Sequence, residues 1–366
     1  MEDEQPEKRT RGKGKGSNFF ALAHDVWEKL CTVPTTNRMN LLITYLVLLA
    51  GTGSDHRLTK WSAKACEQYT GLGKPRAKHA IAELIDAGLV RHTDASTRMM
   101  PQYELPTLPT DAEPIFLPVA LVTGLETENP MLRRVRETGD PLLLCMLIDL
   151  YGLVTTDATH AVGIKHIHSG LLENSAPTTR KVTDTGAHAI WAITKGTWRK
   201  TSGDWYKKHR TTGPKPYDEF WRRFDLLVQI GAVWWEPWLY DGEGEDAEPI
   251  IPLDFSGFYD LTTATDEAKL TRLAFDVSRA ILTPEREYML QGPGDFYVPL
   301  AVHRRQPAYR EVLKMRVEAD TPGRRWAWKQ RRTLIEQYTQ GFDQVHRDVE
   351  AGIFNQPMRL QSGAPL

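Results

Sequence analysis

The chain is poor in the residues and signatures that would announce chemistry. It has three cysteines, Cys31, Cys66 and Cys145, far apart in sequence. No CxxC pair exists to hold a structural zinc, and three isolated thiols cannot form a disulfide framework. Each lies in an apolar helical context, so all three are expected to be reduced core residues of a cytoplasmic protein. Long apolar runs are also missing. The two longest, Met39 to Ala50 and Pro141 to Val154, are shorter than a bilayer requires and carry polar breaks. The N-terminus is acidic and then basic without an apolar core, so neither a secretory leader nor a membrane partner is expected. No GxxxxGK[ST] loop is present, and Gly71-Leu72-Gly73-Lys74 is too short to act as one, which argues against ATP-driven helicase or loader activity. GxSxG and HExxH are absent too. No cofactor, metal or catalytic residue is expected, and the chain reads as a non-enzyme.

Net charge is almost absent as well, at -1, but the charges are segregated. Lys8 to Lys15 holds five cations in eight residues, and Asp241 to Glu248 five carboxylates in eight. From Thr178 to Arg210 there are eight Lys or Arg against two Asp, and from Ala301 to Ile335 ten against three acids. A single charge run is usually a solvated face. Several separate basic blocks on one chain are what repeated phosphate contacts require.

The most structured stretch runs from Leu58 to Val90. It reads as two short helices joined by the glycine turn Gly71-Leu72-Gly73 and closed by a strand. The second helix has Ala77, Ala80, Ile81, Leu84 and Ile85 on one face and Lys74, Arg76, Lys78 and His79 on the other. Pro75 suits a first helical turn, Gly88 a C-terminal stop, and Thr59 an N-cap. The small Ala63 and Ala65 let the two helices approach closely. Leu89 to Thr93 and Met99 to Leu105 can pair as a hairpin across Asp94-Ala95-Ser96-Thr97. An apolar helix from Arg38 to Gly51 would pack behind the pair.

This pattern resembles the winged helix–turn–helix of bacterial regulators and of phage or plasmid replication initiators, over about a quarter of the chain. The resemblance implies that Lys74, Arg76, Lys78 and His79 enter the major groove of duplex DNA, with Arg91 and Arg98 on the wing. Arg199, Lys200, Lys207, Lys208, Arg324 and Arg325, from the basic blocks, are the candidate phosphate contacts. Host replication or transcription machinery is the implied protein partner.

The expected fold is α+β, mainly α with small β-hairpin wings: a disordered basic tail over 1–17, a first winged unit over 18–105, and a proline-bearing linker over 106–114. A degenerate second unit then spans 115–254. Its helix Tyr217 to Ile230 ends at Gly231, and superposing Gly231 on Gly88 aligns Leu227 with Leu84, Phe224 with Ile81 and Val233 with Val90. Asp218 and Glu219 in its first turn would repel phosphate. An insertion over 170–216 carries Trp191, Trp198 and Trp205 every seven residues among cations, positions suited to base stacking or to anchoring the segment on a core. A basic helical region over 255–354 follows, with helices expected at 266–282, 307–317 and 322–350, and a tail over 355–366. Leu334, Tyr338, Phe342, Val345 and Val349 form one apolar face of the last helix. That face needs a partner helix from this chain or from a second copy in a homodimer.

Two other readings compete. His166-Ile167-His168 resembles the metal-binding signature of HUH endonucleases, which would make Tyr206 the nucleophile of a DNA-nicking reaction. The position three residues after Tyr206 is His209, where that family carries lysine. Alternatively, the winged units serve as protein-interaction modules.

Overall fold

The computed structural model describes residues 18–97, 99–111, 113–125, 128–162, 171–175, 178–185, 188–195, 197–200, 216–244, 246–256, 264–282, 295–301 and 304–352. The chain is α+β, with helices set against small antiparallel sheets. It divides into two compact units, one of residues 1–145 with 317–321, the other of 146–316 with 322–366.

The first unit is built around α2 (Arg38–Ala50), whose residues from Leu41 to Ala50 are all buried. A helix apolar on every side must be enclosed on every side. It is enclosed by α1 (His24–Thr32), α3 (Ala63–Thr70), α4 (Lys74–Asp86), α5 (Ala120–Thr123) and α6 (Met131–Glu137). Two sheets complete the unit. β1 (Phe19–Leu22) pairs antiparallel with β5 (Ile115–Pro118). β2 (Leu58–Thr59), β3 (Arg91–His92) and β4 (Tyr103–Glu104) form a three-stranded sheet in the order β2-β4-β3.

Two expectations change here. The stretch 106–114 is a connection inside this unit rather than a linker between domains, because the strand that follows it returns to pair with β1 and α6 packs on α2 and α3. Thr59 is not the N-cap of α3. It is buried in β2 with its hydroxyl accepting from the Trp61 amide at 3.1 Å, and Ser62 caps the helix by accepting from the Lys64 amide at 3.4 Å. Cys31 and Cys145 are distant in sequence, yet their buried sulfurs lie 3.3 Å apart.

The second unit holds β6 (Leu171–Ser175), β7 (Thr178–Asp184), β8 (His188–Thr194), β9 (Thr197–Lys200), α8 (Pro216–Gln229), β10 (Val233–Tyr240) and β11 (Pro249–Pro252). After them come α9 (Asp266–Ile281), β12 (Asp295–Ala301), β13 (Ala308–Met315) and α10 (Pro322–Glu350). The chain crosses from one unit to the other within α7 (Pro141–Tyr151). Its sheets are antiparallel, in the orders β12-β8-β7, β11-β10-β13 and β6-β9.

The boundaries expected at 170–216 and 255–354 therefore do not hold. β8 is a central strand, HAIWAIT, buried along almost its whole length, and Trp191 belongs to the core rather than to a stacking surface. The stretch 307–317, expected as a helix, is strand β13, paired along its full length with β10. Its local spacing fits a helix, but that pairing and the burial of Val312, Leu313 and Met315 outweigh it.

The likeness between the two units is confined to a helix end. Gly88 and Gly231 have φ of 68° and 69°, and the amides of Leu89 and Ala232 reach back to Leu84 O at 2.9 Å and Leu227 O at 2.8 Å. The sheets then diverge, since the strand after α8 is central and the strand after α4 is at an edge. The apolar face of α10 is covered by α9 and β11 of the same chain, with Tyr338, Phe342 and Val345 in the core alongside Leu270, Val277 and Ile251.

Candidate nucleic-acid interface

The α3–α4 hairpin is assembled by short-range chemistry. The Thr70 hydroxyl donates to Cys66 O at 2.6 Å and accepts from the Leu72 amide at 3.3 Å, closing the end of α3. Gly71 then takes φ of 70°, a left-handed turn that any Cβ would strain. Leu72 is fully buried and fixes the turn to the core. Gly73 precedes α4, and Pro75 in its first turn forgoes only an amide that has no helical partner. Ala77, Ala80, Ile81 and Leu84 face α2 and α3, so Lys74, Arg76, Lys78 and His79 face outward.

The four side chains are not equivalent. Lys74 is ion-paired to Glu67 of α3 at 3.1 Å. His79 lies 3.6 Å from Glu83, whose carboxylate also accepts from Thr35 Oγ1 and Asn37 Nδ2. Arg76 and Lys78 are exposed and have no partner among the described residues. On the sheet, Arg91 Nε donates to Glu104 at 2.6 Å, and Arg57 contacts the other oxygen of the same carboxylate. This triad joins β3, β4 and the residue that precedes β2. The hydrogen bond from Arg91, with the charge of Arg57, holds Glu104 below the usual carboxylate range. The triad therefore carries two arginines for one acid, and Arg91 is committed to the sheet.

Sequence reading missed two further arginines. Arg136 of α6 donates its Nε to Thr70 O at 2.6 Å, capping the carbonyl that ends α3. A Cβ placed on Gly71 would lie 3.3 Å from Arg136 Nη2 and 3.8 Å from Arg133 Nε. Both guanidinium groups thus close over the turn that leads into α4. The basic run in MLRRVRE was visible, but its contact with a turn some sixty residues earlier (|i−j| = 66) depends on tertiary packing.

Comparison with family models, with curated proteins and with solved structures found no match.

The other expected contacts are scattered. Arg199 and Lys200 are on β9, with only their strand pairing described. Arg98, Lys207 and Lys208 lie outside the described residues, as do His166, His168 and Tyr206 of the nicking alternative. Arg324 and Arg325 open α10 in the second unit. Among the described residues no three His, Cys, Asp or Glu side chains converge as a metal ion would need. No helix among them is long and apolar enough to cross a membrane.

Proposed function

We propose that the first unit is a winged helix–turn–helix that binds duplex DNA, with α4 as the helix that enters the major groove. The observation that carries this reading is the outward face of α4, where Arg76 and Lys78 stand without partners among the described residues, on a helix held by a glycine turn and followed by an antiparallel hairpin. A carboxylate-paired surface would already be neutralised; this one is left to an external anion. Arginine reads guanine bidentately, and lysine supplies a phosphate or base contact beside it. Lys74, ion-paired to Glu67, and His79, beside Glu83, border the contact. Arg57 and Arg91 hold the wing in register through Glu104. Among proteins of this architecture, a replication initiator or a transcription regulator that recruits further proteins to its site fits a chain that carries a second unit besides the DNA-binding one.

The test is binding of the purified full chain to a pool of short duplexes across a salt series, beside the Arg76→Ala/Lys78→Ala variant. Selective binding with a log–log salt slope of several units, about 0.9 per phosphate contact, lost in the variant, is the expected outcome. Absence of binding to every duplex, or equal binding by the variant, would overturn it.

A further inference from the structure

Among the described residues, the two most exposed tryptophans are on the first turns of α10. Trp326 is 52% exposed and Trp328 58% exposed, while Ala327 between them is buried. Both follow from how α10 docks. Arg331 turns inward to Glu236 and Glu267, at 2.7 and 2.8 Å, and Ala327 faces the same way, so this side of the helix is against the protein. At about 100° per residue, Arg325, Lys329, Arg332 and Glu336 then fall on one outward stripe. Trp326 and Trp328 flank that stripe on opposite sides. The Arg332 guanidinium lies 6.0 Å from the centre of the Trp328 ring and is also bonded to Glu336 at 2.8 Å. Between Thr321 and Ile335 the sequence has five cations and no Asp or Glu.

We infer that this segment is a binding platform for single-stranded nucleic acid, separate from the duplex-binding face of the first unit and not resting on that reading. An exposed indole bordered by cations meets few ligands that satisfy both. A protein partner would have to bury the cations against carboxylates, whereas an unpaired strand offers phosphates for the stripe and open base faces for the rings. A duplex keeps its bases stacked on each other and gives the indoles nothing to cover. The stripe holds phosphates along the helix, and the rings to either side each accept a base. The binding is sequence-tolerant, because every base has a π-face.

The test uses the full chain and a labelled oligothymidylate of about twenty nucleotides, followed by anisotropy at low salt. Trp326→Ala/Trp328→Ala is compared with Trp326→Phe/Trp328→Phe and with Arg76→Ala/Lys78→Ala. Both tryptophans are surface residues, and an unchanged melting temperature establishes that the variants fold. The alanine pair is expected to bind at least about thirty-fold more weakly, the least that two lost base–indole stacks amount to. The phenylalanine pair should retain most of the affinity, and the α4 variant should bind the oligonucleotide as the parent does. Three outcomes would overturn the inference: equal binding by the alanine pair, no binding by the parent chain, or concentration-dependent dimers that only the alanine pair loses, which would make a second copy the occupant. Tryptophan-dependent binding to anionic lipid vesicles without binding to the oligonucleotide would overturn it in favour of a membrane surface.

Discussion

Individual residues separate two kinds of glycine in the first unit. Gly51 ends α2 with an ordinary negative φ, but a Cβ there would sit 2.2 Å from the Trp61 ring, which stacks on Tyr69 at 4.8 Å. Gly88 has open space around it and a φ of 68°. Gly88→Ala should therefore cost only the left-handed conformation, about 1 to 2 kcal/mol. Gly51→Ala should cost about 1 to 3 kcal/mol through overpacking and should also disturb the near-ultraviolet signal of Trp61. Urea unfolding of the two variants, with near-ultraviolet circular dichroism, distinguishes the mechanisms. On the proposed duplex-binding face, Arg76→Ala is expected to weaken specific duplex binding by about 1 to 3 kcal/mol, while Lys78→Ala is expected to lower affinity evenly across sequences and flatten the salt slope by about 0.9. Arg76 and Lys78 were legible as an outward pair from the helical period alone. That Lys74 is shared with Glu67 and Arg91 with Glu104 was not, since both pairings depend on where a second element is packed.

Elements are joined by charge as well as by apolar surface. Glu104 ties β4 to Arg91 of β3 and to Arg57, the residue before β2, and its pKa lies below the usual carboxylate range. A carboxylate depressed in the folded state contributes stability above its unfolded pKa and loses it as the pH falls through the folded value. The hairpin should therefore loosen in acid, below the ordinary carboxylate range, and Glu104→Gln should remove that dependence when hairpin amide exchange is followed against pH. The same substitution frees two guanidinium groups, so the salt slope of duplex binding should steepen if the wing faces DNA. In the second unit, Arg331 joins α10 to β10 and α9 through Glu236 and Glu267, with its guanidinium 5.3 Å from the Trp238 ring centre. Removing one member of a largely buried cluster strands the others, so Arg331→Ala should cost about 3 kcal/mol in chemical denaturation. Arg331→Met, which restores the stem's packing but leaves two carboxylates unpaired, should recover only part of it.

For the whole molecule, the thiols report on the first unit. Cys31, Cys66 and Cys145 are all buried, and burial pushes the Cys66 thiol up to about 12. The native protein should react with a thiol reagent no faster than its first unit unfolds, even at pH 9, and the denatured chain should react at three sites. Rapid labelling of one thiol in the native state would contradict the enclosed core around α2. The apolar face of α10 is occupied by α9 of the same chain, so the patterning of that helix carries no requirement for a second copy.

What the sequence by itself determined is what short-range physics decides. The glycine turn, Pro75, the stop at Gly88, the apolar stripe of α4 and the bounds of α2, α4, α9 and α10 all follow from neighbours within a turn or two. The matching end of α8 at Gly231 does as well. The tertiary structure alone decided which strands pair. A segment with a helical period, Ala308–Met315, became a strand because a full-length ladder with β10 and a buried face outweigh a weak local preference. It also decided that a supposed insertion is the centre of a sheet, and that the arginines of α6 close over the turn before α4. Such contacts join residues far apart in sequence, and nothing in either local pattern encodes the partner.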